Sequence, residues 1–162
     1  MSKPMNERII HPFPPIYDEE SRILILGSFP SVASRTQEFY YGHPRNRFWP
    51  LLAALLNAPE PHAIEEKKHM LLHYHIALYD AVMACTITGS ADASMQSVVP
   101  ADLSGIFQAP IKAVFTNGNK AYEVCTKQIG ISAVKLPSTS PANARYRFED
   151  LLEAWKKILE HL

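Results

Sequence analysis

The chain has 162 residues, 47% of them apolar, and its 16 basic and 16 acidic residues cancel to a net charge of zero. These proportions exclude a disordered or fibrous chain and predict one globular domain over residues 1–162. No apolar run approaches the roughly 20 residues that a membrane-spanning helix requires, so no contact with a membrane is expected. Cys85 and Cys125 form no CxxC pair, which excludes a four-cysteine zinc or iron–sulfur site. Together with an N-terminus that lacks a secretory pattern, this is typical of a cytoplasmic protein.

The charges are unevenly distributed along the chain. Residues 112–147 carry six Lys and Arg residues against one acid, and residues 35–47 carry three Arg residues against one Glu. If both stretches share a face, that face is basic and could approach nucleic acid. Random scatter of surface charge explains the composition equally well, so the asymmetry permits a DNA partner without requiring one.

Four apolar runs of strand length follow a proline-rich opening. Residues 1–20 predict an extended arm. The runs predict buried strands at residues 22–27, 76–80, 111–116 and 133–136. Residues 28–47 are expected to form a long loop, and residues 86–100, which are small and polar, a loop with little regular structure.

Apolar residues at helical spacing separate and follow these strands. They predict helices from residue 48 to about 57, at 64–72, at 120–129 with Gly130 as its stop, and at 148–159, besides one or two helical turns at 101–107. Alternating strands and helices predict an α/β fold, with a parallel sheet and helices on both sides. Ligands of such sheets bind beyond the carboxyl ends of the strands, where three unusual segments stand: Gly27–Ser31, Asp80 with its followers, and Leu136–Arg145.

Two of these segments carry recognisable motifs. The first reads Gly-Ser-Phe-Pro-Ser from Gly27 and continues over residues 40–49 as Tyr-Tyr-Gly-His-Pro-Arg-Asn-Arg-Phe-Trp. The second reads Leu-Pro-Ser-Thr-Ser-Pro-Ala-Asn-Ala-Arg over residues 136–145. In this order, and each after a strand, they resemble the uracil-DNA glycosylase superfamily, and they are most similar to its hypoxanthine-DNA (deoxyinosine) glycosylase family. The resemblance runs from about Arg22 to Trp155.

The resemblance implies a three-layer α/β/α sandwich with a short four-stranded parallel sheet in the order 2-1-3-4. It also implies an enzyme of DNA repair that flips a damaged nucleotide out of the helix and hydrolyses its N-glycosidic bond, without a cofactor. Such a reaction needs groups that stabilise the departing base and a positioned water. A monomer would suffice.

Asn46 is the candidate catalytic residue. Its amide offers a donor and an acceptor, so it could read the edge of hypoxanthine or orient water. The alternative is a helix cap. Pro50 argues against a cap at Asn46, because Pro50 would then be the first position required to donate a helical hydrogen bond. A cap at residues 47–49 fits better and would leave the Asn46 side chain free.

Phe29 departs from the pattern of related branches. Where the mismatch-specific uracil glycosylases have a water-activating asparagine and other branches have aspartate, this chain has a phenylalanine. Hydrolysis by that route is therefore not expected, which fits the hypoxanthine branch. Phe29 lines the base pocket or packs beneath the loop.

The other candidates for the base pocket are Ser28, Tyr41 and His43. Tyr41 aligns with the aromatic residue that stacks on the flipped base in related glycosylases, although it could equally pack the loop. His43 could donate to a phosphate or the base, but the following Pro44 favours a structural turn. Asp80 could act as a base, but anchoring a loop is the favoured interpretation.

The second segment is expected to contact the DNA strand. Hydroxyls and backbone amides suit phosphates, and small apolar residues could enter the minor groove. The candidates are Ser138, Thr139, Ser140, Pro141, Ala142, Asn143 and Arg145. A Ser-Thr-Ser-Pro sequence is also common in ordinary turns.

Other kinds of site are not supported. His69, His73 and His75 lack an acid or cysteine that would complete a metal site, so no metal is expected. Neither Gly-x-Ser-x-Gly nor a nucleotide-binding glycine motif occurs. The functional hypothesis is a monofunctional glycosylase for hypoxanthine; the alternatives are uracil or xanthine as the base, or a non-catalytic module that binds damaged DNA or a nucleotide.

Overall fold

The computed structural model describes residues 7–87 and 95–162. Within these ranges the elements, in chain order, are β1 (Glu7–Ile10), β2 (Ile23–Gly27), α1 (Val32–Gln37), α2 (Phe48–Leu56), α3 (Ile64–His73), β3 (Ile76–Asp80), β4 (Val82–Ile87), β5 (Gln96–Pro100), β6 (Ala113–Asn117), α4 (Asn119–Glu123), β7 (Val134–Leu136) and α5 (Phe148–Trp155). A short 3₁₀ turn covers Ile106–Gln108, α4 runs on into a π-helical segment, Val124–Ile129, and α5 runs on into a 3₁₀ segment, Lys156–His161.

A four-stranded parallel sheet forms the centre of the fold. Its order is β3-β2-β6-β7, which is the order 2-1-3-4 expected for the four sequence-predicted strands. Strand β2 is buried along its whole length, as a strand covered on both faces must be. Gly27 pairs with Asp80, and Asn117 pairs with Leu136. The carboxyl ends of all four strands therefore meet at one edge, and helices surround the sheet in a three-layer α/β/α arrangement.

The predicted helices are confirmed, with small changes at their ends. Helix α2 begins after Arg47, so Pro50 is its third residue. The first backbone N–H groups of a helix have no acceptor within the helix, so proline, which has no N–H, fits at this position. Helix α2 ends at Asn57, which has the left-handed backbone that stops helices (φ 55°). Gly130 stops the helix before it in the same way (φ 84°). Among the described residues, no helix has both the length and the apolarity needed to cross a membrane.

A second, antiparallel sheet lies beside the first and corrects two expectations. Its order is β1-β4-β5, so residues 86–100 are not simply a loop: their described part holds the end of β4 and all of β5. The arm is extended as predicted from residue 7 onward, but it is strand β1, paired with β4 over four residues. Residues 1–6 of the predicted arm lie outside the described residues.

The segment at residues 28–47 is also more regular than expected. Ser31 caps helix α1 by accepting a hydrogen bond from the Ser34 amide at 3.2 Å. The six residues of α1 make fewer than two helical turns, too few to show periodicity, so the sequence predicts a loop here.

Candidate active site

A cleft of about 1040 Å³ opens at the carboxyl edge of the parallel sheet. Its walls are the segment after β2, the segment before α2, the segment after β7, and the ends of β3 and β6. The two sequence motifs, almost ninety residues apart in the chain, therefore line one cavity. All the sequence-predicted site residues line this cavity: Ser28, Phe29, Tyr41, His43, Asn46, Ser138, Thr139, Ser140, Pro141, Ala142, Asn143 and Arg145.

Asn46 is half-buried in the cleft wall. Contrary to the expectation from the sequence, its side chain is hydrogen-bonded. Its Oδ1 accepts two hydrogen bonds, one from the Phe48 backbone amide at 2.9 Å and one from the Thr139 hydroxyl at 2.8 Å. A backbone amide can only donate, so the oxygen and nitrogen of this side chain are fixed without ambiguity. With both lone-pair directions of Oδ1 in use, the group that Asn46 can offer to a ligand is the Nδ2 donor.

A relay of side chains holds Asn46 in this orientation. Asn117, at the end of β6, donates from Nδ2 to the Thr139 hydroxyl at 3.0 Å and accepts the Thr139 amide at 3.0 Å. The Thr139 hydroxyl in turn donates a hydrogen bond to Asn46 Oδ1. Because Thr139 is fully buried, it does not offer its hydroxyl to a phosphate, and its predicted role as a direct DNA contact is wrong. It joins the two asparagines instead.

Arg47 fastens the second motif to the first. Its guanidinium donates to the carbonyl oxygens of Ser140 (2.8 Å), Asn143 (3.1 Å) and Tyr146, and its backbone amide donates to Thr139 O at 3.1 Å. A guanidinium has five donors in a fixed fork, so one side chain can hold several carbonyls at once. Nothing in the sequence around Arg47 indicates this role, since its partners lie more than ninety residues away in the chain.

Asp80 ends strand β3 within the cleft, and His11 lies behind it. The Asp80 Oδ2 and His11 Nε2 atoms are 2.7 Å apart, and the two side chains are 6% and 0% exposed. His11 Nδ1 accepts the Phe13 amide at 3.4 Å, so neutral His11 carries its proton on Nε2 and donates it to Asp80. Asp80 thus anchors the N-terminal arm, as favoured from the sequence, while it also forms part of the cleft wall.

Gly27 allows Asp80 and Tyr41 to approach the strand end. A Cβ atom at Gly27 would lie 2.4 Å from Asp80 Oδ1 and 2.8 Å from the Tyr41 hydroxyl oxygen. Neither distance is compatible with a side chain. The carboxylate is therefore in close contact with the first residue of the first motif, on the side away from His11.

The Asp80 charge acts on the neighbouring tyrosines. Burial, reinforced by Asp80, raises the pKa of Tyr40 far above its usual value, and the same two causes raise the pKa of Tyr79. Tyr40 consequently keeps its proton and donates it to Pro14 O at 2.8 Å. These phenols are structural groups at neutral pH.

Tyr41 and His43 occupy the wall next to Asn46. The Tyr41 ring stacks on Phe48, with centroids 4.1 Å apart, so only its other face can stack on a base. His43 Nδ1 accepts the Arg45 amide at 3.1 Å, and His43 O accepts the Asn46 amide at 2.9 Å. This is the structural turn that Pro44 suggested, and it leaves Nε2 of neutral His43 as a donor.

Ser28 and Phe29 begin the first motif. Ser28 is half-buried, and its carbonyl accepts the Val82 amide at 3.0 Å, which ties this loop to β4. Phe29 lines the cleft and is also 92% buried in a small apolar cluster with Val82 and Cys85. Phe29 thus both lines the cleft and packs beneath the loop.

The second motif is braced by its own side chains. Ser138 Oγ accepts the Ser140 amide, Ser140 Oγ accepts the Ala142 amide, and Asn143 Nδ2 donates to Ser138 O, at 3.0–3.1 Å. Pro141 is half-buried, whereas Ala142 and Arg145 are exposed at the rim. The residues that remain accessible for DNA are Ser138, Ser140, Pro141, Ala142, Asn143 and Arg145.

Comparison with known protein families and structures identifies the relatives of this arrangement. The model of the uracil DNA glycosylase superfamily matches residues 14–160. The chain belongs to this superfamily.

Individual relatives agree with that assignment. Hypoxanthine DNA glycosylase of Methanosarcina acetivorans is 34% identical over 154 residues, covering 92% of this chain and 97% of the relative. Hypoxanthine DNA glycosylase of Methanosarcina barkeri is 34% identical over 138 residues, covering 82% of this chain and 87% of the relative. A solution NMR structure from Methanosarcina acetivorans, assigned provisionally as a uracil DNA glycosylase, superposes with a TM-score of 0.76 at 36% identity, covering 94% of this chain and all of that one.

Proposed function

We propose that this member of the superfamily is a monofunctional DNA glycosylase that removes hypoxanthine by hydrolysis and leaves an abasic site. The observation that carries the proposal is the locked amide of Asn46, which presents a donor to the cleft at the junction of the two motifs. Two relatives are named for hypoxanthine, which supports the choice of base.

A fixed donor suits a deaminated base. Deamination replaces an exocyclic amino group, a donor, by a carbonyl oxygen, an acceptor. Asn46 Nδ2 can donate to the carbonyl oxygen of hypoxanthine but meets another donor in adenine. Because a buried donor without an acceptor is costly, the amide discriminates against the undamaged base.

The remaining residues are assigned from the cleft geometry. The base enters between the open face of Tyr41 and the loop at Ser28 and Phe29, and His43 Nε2 offers a second donor to it. The accessible residues of the second motif hold the phosphates, with Arg145 at the rim, and Pro141 and Ala142 fill the space that the flipped nucleotide vacates. Negative charge that develops on the departing base is then met by neutral donors and not by a metal.

Cleavage of defined oligonucleotides tests the proposal. Duplexes with a single hypoxanthine, uracil or xanthine are incubated with the protein and then with alkali, which breaks the strand at abasic sites. Strand cleavage is expected at hypoxanthine. Cleavage confined to uracil or to xanthine would keep the glycosylase activity but refute the base, and DNA binding without cleavage would indicate a non-catalytic module.

Asn46→Asp isolates the proposed donor. Aspartate retains an oxygen that can accept from Phe48 and Thr139, but it replaces Nδ2 by an oxygen. We expect a loss of about 10²–10³-fold in the single-turnover rate, the usual effect of removing one donor that stabilises the transition state. Asn57→Asp, on the exposed end of α2, is the matched control. Wild-type rates in Asn46→Asp would refute this assignment.

A further inference from the structure

Hydrolysis of a glycosidic bond needs an acceptor for a proton of water, and Asn46 cannot supply one. Both lone-pair directions of its Oδ1 are occupied by Phe48 N and Thr139 Oγ1. Its Nδ2 can only donate. An amide is in any case too weak a base to take a proton from water. An amide can orient a water molecule, but the group that accepts the proton must be another residue of the cleft.

The described residues offer two candidates. Serine, threonine and asparagine side chains of the wall are too weakly basic, and lysine, arginine and tyrosine side chains ordinarily keep their protons at neutral pH. This leaves His43 and Asp80. His43 Nδ1 accepts the Arg45 amide, so its other nitrogen carries the proton and donates. Asp80 is the single carboxylate among the described residues that line the cleft.

We propose that Asp80 is the carboxylate that accepts the proton of the attacking water, and that His11 is the positioning residue that orients it. This inference rests on the glycosylase function proposed above. Asp80 Oδ2 accepts a hydrogen bond from His11 Nε2, and the two atoms are 2.7 Å apart. Asp80 Oδ1 lies against Gly27, at the start of the first motif. One oxygen is thus held from behind while the other stands at the strand end that forms the cleft.

His11 is held for this task on several sides. Its ring lies 4.5 Å from Phe13 and 4.8 Å from Tyr79, centroid to centroid, and its Nδ1 accepts the Phe13 amide. Its own amide donates to Met83 O at 2.7 Å. The ring therefore cannot turn its Nε2 proton away from Asp80 without breaking this packing.

The water oxygen forms a bond to C1′ of the deoxyribose, and the bond from C1′ to the base nitrogen breaks with its electron pair going to the base. One water proton passes to Asp80 Oδ1, which becomes a neutral carboxylic acid. That proton leaves to solvent or to the released base, and the carboxylate is restored.

Asp80→Asn is the first test, in single-turnover cleavage of a duplex that contains hypoxanthine. Asparagine keeps an oxygen to accept from His11 but cannot take a proton. The rate is expected to fall by about 10²–10⁴-fold. The Kd for a duplex containing 2′-fluoro-deoxyinosine, which resists cleavage, should stay within about threefold of wild type. Asp102→Asn, on an exposed turn, is the matched control.

Two further variants separate chemistry from folding. Asp80→Ala should recover cleavage when sodium formate supplies a small carboxylate. His11→Gln, which places an N–H near the position of Nε2, should retain most of the rate that His11→Leu loses, although both alter the packing of the ring. A purely structural role of Asp80 does not predict the formate rescue, and the two His11 variants test whether the hydrogen bond to Asp80 is needed.

The outcomes are distinguishable from failure of the proposed function. A wild-type rate in Asp80→Asn overturns the role of Asp80 and leaves the glycosylase intact. A slow Asp80→Asn that loses DNA affinity in proportion, with no formate rescue of Asp80→Ala, also overturns it. A wild-type protein that cleaves none of the three substrates overturns the proposed function itself.

Discussion

The cleft has two unlike sides. The amide side consists of Asn46, Thr139 and Asn117, and every hydrogen bond between them joins neutral groups. The acid side consists of Asp80 and His11, an ionisable pair in which one partner comes from the arm. The amide side resists protonation and keeps its shape, whereas the acid side can exchange a proton.

The difference explains how one small cleft serves two needs. Recognition requires donors that do not reverse, and the relay through Thr139 prevents Asn46 from turning its amide over. Proton transfer requires a group that changes its charge, and a buried carboxylate with one hydrogen-bonded oxygen can do so. Because the two proposed tasks lie on different residues, the proton transferred in the reaction stays apart from the donors that recognise the base.

Gly27→Ala should break the acid side, with some displacement of Tyr41, and have the largest effect. Its Cβ would need to share space with Asp80 Oδ1, 2.4 Å away, and would displace the carboxylate. We expect a loss of more than about 100-fold in the single-turnover rate, since a displacement of 1 Å at a reacting group is enough for this. Gly105→Ala is the control, because its Cβ would meet only the partly exposed Tyr17 hydroxyl, at 3.2 Å. Unchanged cleavage in Gly27→Ala would show that Asp80 Oδ1 is not needed in its present position.

Thr139→Val should break the amide side alone. Valine has the same shape but leaves the buried Asn117 Nδ2 without its acceptor, at a cost of about 1–3 kcal/mol in the free energy of unfolding. Chemical denaturation measures this loss, and cleavage should fall by roughly tenfold as Asn46 becomes mobile. Thr139→Ser, which restores the hydroxyl, should recover both properties. Equal behaviour of the two variants would mean that the relay does not orient Asn46.

Arg47→Lys sharpens the comparison at a smaller scale. Lysine keeps the charge but cannot reach the carbonyls of Ser140, Asn143 and Tyr146 together. The second motif should loosen, and the Kd for hypoxanthine-containing duplex should rise by about fivefold, or ~1 kcal/mol. Arg45→Lys, an exposed neighbour with the same charge, should bind as wild type does. A similar loss in both variants would mean that the carbonyl contacts of Arg47 are not the cause of the weaker binding.

The amino-acid sequence predicts the parallel sheet well because burial leaves a local record. Runs such as residues 22–27 and 76–80 are apolar at every position, and the glycine or turn pair that ends a strand is also local. Strands β1 and β5 of the second sheet leave no such record. In β1, Arg8 and Ile10 are exposed and Ile9 is half-buried, so its pairing with β4 depends on residues more than seventy positions away.

The site divides in the same way. The motifs located Asn46 and both loops of the cleft, because the parallel sheet brings strand ends together. They did not reveal that the Asn46 oxygen is occupied, nor that Thr139 is buried, because both facts arise from contacts over 93 residues of sequence. His11 carried no signal at all, since a histidine in a proline-rich arm gains a role only when β1 has paired.

Strand β1 also sets how the protein fails when it is warmed. It is an edge strand that pairs on one side only, and edges open by local fluctuations that cost less than unfolding of the whole core. Each such opening withdraws His11 from Asp80 while the parallel sheet and the amide side remain assembled. We therefore expect the detachment of this short strand to set the thermal limit of catalysis, and hydrogen exchange at Ile9 and His11 to rise before the domain melts.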